Sequence, residues 1–526
     1  MKKIFVAAIA LISACAQMNA QTALSDELAF RLKEEAFANS KMQELAEFMT
    51  DELGSRLAAS QQKLRSEKLV TEKLTELGLS NVRVEFAYEF AKGGWDNVKN
   101  YVAMTAPYYC SFAANPLAWT GSTNGLVKGE VVYVEKQITT EEELEKYRGK
   151  MAGKIVLMPV RDEYEISFEP LAFRFTDEEL KEMETDPRPG YHNFMPHMSS
   201  GGGRGGAPFS REQYMKMREL QGKFSDMLRE EGALAVINTR GTFNVTSGSG
   251  AQYKVGDPEP LPAIVLPVED GGRMARLIAR GEKIEMELDL KNEFTDNQKI
   301  NNVIAEIPGT DPKLKNEIVL IGAHLDSWHS GTGAADNASG CVTMMEAMRI
   351  IKALGVSPRR TIRIALWGGE EQGLFGSRGY SATYLYDQKE NKKLAGYNNF
   401  ALYLNMDNGS GRFRGIYLEQ NDMAFPYFRA WGGAMETLGF TTLSPRKTGS
   451  TDHVTFDRIG LPAYQFIQDD LEYPRTYHTN MDTFERLSIA DLKIDAAIVA
   501  WLALSAANDN GRIPVKPGYP KNTERR

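Results

Sequence analysis

Apolar residues recur at helical spacing through the first part of the chain. Between residues 24 and 79 one face carries Leu57, Leu64, Val70 and Leu74, and Gly78 then ends the pattern. This periodicity predicts helices over most of the segment. Two short apolar runs follow, at 82–86 and 100–104, and their alternation predicts strands.

The texture changes between about residues 125 and 292. Short apolar runs at 129–134, 154–158 and 233–238 are separated by polar and glycine-rich stretches. The pattern predicts a separate, smaller and β-rich domain. Residues 198–207 form a glycine-rich stretch inside it, whose backbone entropy favours a mobile loop over a lid.

Beyond residue 302, apolar strands alternate with helical stretches. Strands are predicted at 318–323, 361–367, 400–406 and 462–467, and helices at 339–353, 423–438 and 488–506. This alternation is typical of an α/β fold, a three-layer sandwich around a mostly parallel central sheet. Such sheets bind ligands beyond the carboxyl ends of their strands.

A length of 526 residues exceeds what one hydrophobic core usually serves, so more than one domain is expected. We predict an amino-terminal part of the main domain at 21–120, an inserted domain at 121–293, a catalytic domain at 294–512 and a tail at 513–526.

The first residues have the pattern of an export signal, predicted to span 1–20. Two lysines precede an apolar run at 4–12, which is too short to cross a bilayer. Two cleavage sites fit the end of the signal: a lipoprotein box at Cys15 and an ordinary signal-peptidase site at Asn19-Ala20-Gln21. Both cleavage sites predict a location outside the cytoplasm, either periplasmic or secreted. Only the lipoprotein box adds a lipid anchor.

The net charge and the cysteine content limit which partners and which metal ligands are expected. The chain has 62 Lys and Arg and 70 Asp and Glu, which gives a formal charge of -8. This charge argues against nucleic acid or anionic lipid as partners. Three cysteines, one of them Cys15, leave too few for a thiolate zinc site, and whether Cys110 pairs with Cys341 is open. Any metal must therefore be held by histidine and carboxylate.

Each predicted strand of the carboxyl-terminal half is followed by a potential metal ligand. Because the carboxyl ends of parallel strands meet at one edge of a sheet, we expect these side chains to converge. Two imidazoles and several carboxylates suit two zinc ions that share a bridging ligand. The candidates are His324, Asp336, Glu370, Glu371, Asp407 and His478.

The adjacent acids Glu370 and Glu371 need separate roles. Neighbouring carboxylates do not both reach one metal from the same direction, so one is expected to bind metal. The other is then free to act as a general base toward the attacking water.

The motifs in this half resemble, in order and spacing, those of the M28 metallopeptidases. They are His324-Leu-Asp326, Ala335-Asp-Asn-Ala-Ser-Gly340, Trp367-Gly-Gly-Glu-Glu-Gln-Gly373, Asn405-Met-Asp407, Ser450-Thr-Asp-His453 and Tyr477-His-Thr-Asn-Met-Asp-Thr483. The segment Asp469-Asp470-Leu-Glu-Tyr473 is most similar to that of the plasma glutamate carboxypeptidase group. Runs at 152–157, 231–237 and 261–266 resemble a protease-associated domain.

The resemblance implies specific roles for the ligand candidates. His324 and Asp407 would bind one zinc, Glu371 and His478 the other, and Asp336 would bridge them. Glu370 would be the general base.

It also suggests supporting residues around them. Asp326 would orient the first histidine, and Asp482 belongs to the motif around His478. Tyr477 is a candidate oxyanion donor, although an aromatic wall fits equally. Arg412 and Arg414 are candidates to receive a substrate carboxylate, or else exposed charges at a strand edge.

The function expected from this resemblance is hydrolysis of peptide bonds at chain ends, by an aminopeptidase, dipeptidase or carboxypeptidase. Cobalt or manganese are alternative metals. The resemblance also suggests a homodimer. Two other functions stay open: glutaminyl cyclase-like acyl transfer with a single zinc, and a non-catalytic binding protein on the same fold.

Overall fold

The computed structural model describes residues 24–160, 166, 168, 170–185, 211–250 and 252–520. The predicted export signal and the glycine-rich stretch 198–207 lie outside these residues. Within them, no helix combines the length and the apolar character needed to cross a membrane.

Thirteen α-helices occur in the described ranges. They are α1 (Asp26–Ala38), α2 (Met42–Glu47), α3 (Gln61–Glu76), α4 (Glu141–Glu145), α5 (Asp177–Thr185), α6 (Arg211–Glu230), α7 (Val268–Ala279), α8 (Ser339–Ala353), α9 (Phe375–Tyr384), α10 (Phe425–Gly432), α11 (His453–Asp457), α12 (Tyr473–Thr476) and α13 (Ile489–Asn508).

The same residues form eighteen strands. They are β1 (Ser80–Glu89), β2 (Gly94–Ala106), β3 (Cys110–Ser111), β4 (Asn115–Pro116), β5 (Val127–Tyr133), β6 (Lys154–Leu157), β7 (Ala235–Thr239), β8 (Ala263–Leu266), β9 (Glu285–Thr295), β10 (Lys299–Ile307), β11 (Ile318–His324), β12 (Thr361–Trp367), β13 (Tyr386–Asp387), β14 (Lys392–Lys393), β15 (Phe400–Asn405), β16 (Phe413–Tyr417), β17 (Thr442–Ser444) and β18 (Ala463–Gln468).

The main sheet has eight strands in the order β1-β10-β12-β11-β15-β18-β16-β17. Its centre, from β12 through β11 and β15 to β18, is parallel, and β1, β10 and β16 are joined to their inner neighbours antiparallel. The central strands are buried over almost their whole length, which explains their continuous apolar runs. This is the expected mixed α/β fold.

Helices cover both faces of the main sheet. Residues of α1, α2, α8 and α13 form one core with one face, and α9 and α11 contribute to a second core on the other. The arrangement is therefore a three-layer sandwich. Helix α8 begins and ends at the predicted residues, and α13 runs two residues past the prediction.

The second sheet also has eight strands, in the order β3-β2-β9-β5-β6-β7-β8-β4. It takes in β2–β4, which the sequence pattern placed with the main domain, because β2 pairs with the distant β9 from Gly94↔Thr295 to Ala106↔Glu285. This second domain, residues 94–295, also carries α4–α7 and is therefore mixed α/β where a β-rich domain was expected.

Four parallel strands of the main sheet end at one edge. Strand β11 ends in His324, β12 ends at Trp367 shortly before Glu370, and β15 ends at Asn405 shortly before Asp407. Strand β18 ends at Gln468, and the loop after it leads to His478. Helix α8 starts close beneath this edge: a Cβ on Gly340 would lie 2.8 Å from Met406 O. Only glycine allows so close an approach, which brings the Asp336 turn to the strand ends.

Candidate metal centre

The ligand candidates form two overlapping groups at this edge. His324, Asp336 and Asp407 make one group, and Asp336, Glu371 and His478 make the other, with the ligand atoms of each group within 4.8 Å of one another. Asp336 belongs to both. The structure thus brings together the five residues that the sequence analysis named as metal ligands.

The first group is buried. His324 Nε2 lies 3.1 Å from Asp336 Oδ1 and 3.5 Å from Asp407 Oδ1, and the three side chains are at most 6% exposed. His324 Nδ1 lies 3.0 Å from the main-chain carbonyl of Asp326. A carbonyl only accepts, so Nδ1 carries the proton and Nε2 is left to bind a metal.

The second group is more open. His478 Nε2 lies 2.9 Å from Glu371 Oε2 and 3.0 Å from Asp336 Oδ2. The His478 side chain is 34% exposed, and its backbone has a left-handed φ of 58°. Its position therefore depends on what holds the surrounding loop.

Two acids support the centre from behind. Asp326 accepts the N–H of Glu370 at 3.1 Å and of Glu371 at 3.3 Å. Its carboxylate therefore fixes the main chain of these two acids, whereas its main-chain carbonyl orients His324. The motif resemblance predicts that the Asp326 carboxylate orients this histidine, but its Oδ1 lies 3.9 Å from His324 Nδ1.

Asp482 does the same for the turn that carries Asp336. Its carboxylate accepts the N–H of Ala335 at 2.6 Å and that of Asp336 at 3.1 Å. Both bonds hold the turn in which the side chain of Asp336 reaches the two groups. Burial raises the pKa of Asp482 to about 7.

Burial and crowding of charge shift the titration of the ligands. Burial opposes the charged form of His324, but Asp407 and Asp336 outweigh it and raise its pKa well above the usual value. For His478, Glu371 and Asp336 outweigh burial and raise the pKa to about 11. Burial raises the pKa of Glu371 to about 7. Without a metal, protons on the imidazoles offset the carboxylates.

Glu370 has a different environment from Glu371. Burial raises its pKa well above that of an ordinary glutamate, and the negative charges of Asp407 and Asp452 act in the same direction. A carboxyl group shifted in this way by its surroundings is typical of a general acid–base residue.

The unpaired atoms fit a metal ion. Despite the short contacts, His324 Nε2 and Glu371 Oε1 are buried without a hydrogen-bond partner among the described residues. Buried polar atoms normally have partners, so these two are placed for another ligand. Nitrogen and oxygen donors of this kind suit zinc.

The remaining candidates lie at different distances from the centre. Tyr477 stacks on Tyr473 at 5.2 Å between ring centroids and lies 4.6 Å from the His478 ring, so it forms an aromatic wall. Arg412 pairs with Asp491 at 3.2 Å and Arg414 with Asp469 at 3.1 Å. Both arginines are thus engaged in ion pairs with other acids.

Sequence reasoning missed Arg56. It is completely buried, and its guanidinium donates to five main-chain carbonyls, three of them in the stretch between His324 and Asp336. No local motif marks it, although a lone arginine in an apolar segment is a usable signal.

The two cysteines Cys110 and Cys341 are free.

A carboxylate and imidazole centre at the carboxyl edge of a mixed sheet, in a three-layer α/β sandwich, is the design of a metallohydrolase. Residues 302–503 match the family model of peptidase family M28. The match identifies this part of the chain, residues 302–503, as an M28 metallopeptidase region.

Similar proteins agree with this family. Mouse carboxypeptidase Q is 24% identical over 468 residues, which cover 89% of this chain and 85% of that protein. Bovine carboxypeptidase Q is 29% identical over a shorter stretch, 54% of this chain and 58% of that protein.

Solved structures share the fold. A peptidase M28 precursor from Shewanella amazonensis has a TM-score of 0.64 at 24% identity, covering 94% of this chain and 99% of that one. A zinc aminopeptidase from Bacillus subtilis has a TM-score of 0.52 at 19% identity, covering 89% and 94%.

Proposed function

We propose that this protein is an exported two-zinc exopeptidase that cleaves the peptide bond next to a free amino terminus. The observation that carries the proposal is the position of Asp336, whose two oxygens face two different imidazoles at 3.1 and 3.0 Å. One carboxylate that faces two histidines is placed to bridge a pair of ions in a two-metal site.

His324, Asp336 and Asp407 would hold one ion, and Asp336, Glu371 and His478 the other. When bound, zinc supplies Lewis acidity toward the scissile carbonyl and the attacking water. Zinc is proposed because the donors are nitrogen and oxygen and because the structurally similar Bacillus subtilis aminopeptidase is a zinc enzyme.

Glu370 is proposed to move the proton. Its carboxylate takes the proton from the attacking water and delivers it to the leaving amine as the peptide bond breaks. A raised pKa suits both halves of this transfer, because the group must gain and lose one proton in each cycle. The bond from its N–H to Asp326 fixes the backbone from which it acts.

The described surroundings of the centre offer no cation to a substrate carboxylate. A small cavity at the centre is lined by Trp328, Ser330, Gly331, Gly333, Asp336, Glu371, His478, Thr479 and Asp482. These described lining residues include no lysine or arginine, and two of their three acids, Asp336 and Glu371, are the proposed zinc ligands. Arg412 and Arg414 are held by other acids, which argues against capture of a substrate carboxylate.

The test is product analysis by mass spectrometry on one peptide panel: free at both ends, N-acetylated, C-amidated, and with an amino-terminal Gln. We expect cleavage to survive amidation and to be lost on acetylation. The reverse pattern would mean a carboxypeptidase, and loss with either block a dipeptidase. Cyclised product without hydrolysis would replace the proposal by acyl transfer.

Glu370→Gln is the matched active-site variant. We expect turnover to fall roughly 100- to 10,000-fold, because the variant cannot carry the proton. It should still bind two ions, because Glu370 is not a proposed ligand. Glu390→Gln, on an exposed surface loop, serves as control. Unchanged turnover in Glu370→Gln would remove the general-base role, and no turnover of any peptide by the unsubstituted protein would favour a binding protein.

Export is proposed from the leader pattern at 1–20 alone, and the lipid anchor at Cys15 and the homodimer stay predictions. Detection of the protein in the envelope or medium of the producing cell would test export.

A further inference from the structure

A segment of the second domain runs along the loop that carries His478. Val245 N–H donates to Asn480 Oδ1 at 2.8 Å, and Asn480 N–H donates back to Val245 O at 2.9 Å. Thr246 and Thr479 form an antiparallel bridge between these bonds. Residues 244–247 thus act as a short added strand, which we call the clamp.

The clamp also reaches the ligand itself. Ser247 N–H donates to the main-chain carbonyl of His478 at 2.6 Å. At the other end, Asn244 Nδ2 donates to Arg475 O at 2.9 Å. The loop is therefore bonded to the second domain on both sides of His478.

The same clamp touches the stretch between His324 and Asp336. Ser330 N–H donates to Ser247 Oγ at 3.1 Å, and the two hydroxyls are in contact. Next to it, His329 Nε2 lies 2.7 Å from Pro116 O of β4. Ser330 and Thr479 both line the cavity, so the second domain contacts residues that form its wall.

The two ligand groups depend unequally on these contacts. His324, at the end of β11, is 1% exposed, and its ring is oriented by Asp326 O, two residues away. His478 is 34% exposed and lies in a loop with a left-handed φ. Hydrogen bonds from surrounding residues contribute most to the orientation of a metal ligand when that ligand lies in an exposed loop and not at the end of a buried strand.

We propose that the clamp positions His478, so that the second domain tunes the ion held by Glu371 and His478 and leaves the ion held by His324 and Asp407 nearly unaffected. This inference rests on the proposed two-metal function. It gives the second domain a part in building the site.

The test is stepwise Co²⁺ and Zn²⁺ binding by the full chain, measured by competition with a chelator. Asn480→Leu removes the oxygen that accepts from Val245 N–H at similar volume, and Asn480→Asp keeps an acceptor there. Asn100→Leu is the control, because it removes a different hydrogen bond between an asparagine side chain and the main chain, from Asn100 Nδ2 to Ala114 O within the second domain.

We expect Asn480→Leu to weaken one binding step roughly 10- to 100-fold and to leave the other within about twofold. Asn480→Asp and Asn100→Leu should keep both steps. To assign the step, Asn480→Leu is repeated in His324→Ala and His478→Ala backgrounds: it should weaken binding in the first and have no effect in the second.

Two negative outcomes are distinguishable. If the unsubstituted protein binds two ions and Asn480→Leu binds both as tightly, the clamp does not position His478 and the inference is wrong. Equal weakening of both binding steps, or weakened binding in Asn480→Asp, would also overturn the inference. Either result would indicate a general loss of structure. If the unsubstituted protein binds one ion or none, the two-metal proposal fails first.

Discussion

At the scale of single residues, main-chain bonds decide how the centre is held. Asp326 binds two N–H groups with its carboxylate, and Asp482 does the same for the Asp336 turn. Arg56 binds carbonyls in place of an acid, and so ties the amino-terminal segment to the loop before Asp336. Such residues keep a loop rigid without touching a metal.

Arg56→Lys is expected to lower the free energy of unfolding by about 2–4 kcal/mol. An ammonium has one donor centre where the guanidinium has three nitrogens, so several buried carbonyls lose their partner. Chemical denaturation of the metal-free protein measures the change. Arg65→Lys, on the exposed face of α3, should stay within about 0.5 kcal/mol. Equal effects at both positions would show that Arg56 does not support the loop.

At the scale of elements, sequence periodicity predicted the parts of the main domain well. The helix 339–353 and the strands at 318–323 and 361–367 agree with α8, β11 and β12. These elements are long or wholly buried, so their pattern is strong. The predicted domain boundary after residue 120 separates β2–β4 from the rest of their sheet, because β2 pairs with β9, almost two hundred residues further along the chain.

Gly340 is the element-scale test of how α8 meets the strand ends. An added Cβ would lie 2.4 Å from Asn337 Oδ1 and 2.8 Å from Ala323 Cβ. Gly340→Ala should therefore cost about 1–3 kcal/mol of stability by overpacking, and should weaken metal binding by shifting the Asp336 turn.

Gly222→Ala is the matched control in α6, where an added Cβ meets nothing within 4 Å. It should be neutral or stabilise by up to about 1 kcal/mol, since alanine is the better helix former. Thermal unfolding and metal competition on both variants separate the two cases. A neutral Gly340→Ala would mean that the helix can move away from the strands without loss.

At the scale of the whole molecule, two domains and several distant segments meet at one centre. The ligand candidates come from four connections of the main sheet, and residues 244–247 of the second domain contact the loop that carries His478. The acids repel one another there unless protons or cations compensate. Stability and metal binding are therefore expected to be linked.

Removal of metal with a chelator should lower the unfolding temperature, and added zinc should restore it. An ion present at 100 times its dissociation constant adds about 2.7 kcal/mol of stability if it binds only the folded protein. Differential scanning calorimetry at several zinc concentrations measures the effect. An unfolding temperature independent of zinc would contradict a zinc centre in the fold.

Metal affinity should rise with pH. In the metal-free protein the pKa of His478 is raised to about 11 and that of Glu371 to about 7, so at pH 7 binding must displace protons. Each displaced proton makes the affinity rise by up to about tenfold per pH unit. Competition titrations at pH 6, 7 and 8 test the direction. Affinity that falls with pH would show that these groups are not the ligands.

The sequence by itself determined the α/β alternation of the main domain and the order of ligands along it, because periodicity and motif spacing are local properties. It named the five ligand candidates that converge and the adjacent Glu370. Only the tertiary structure decided that Asp326 holds main-chain N–H groups, that Arg56 supports the centre, and that β2 belongs to the second domain. These contacts join residues hundreds of positions apart, and no local pattern encodes such a meeting of side chains and backbone.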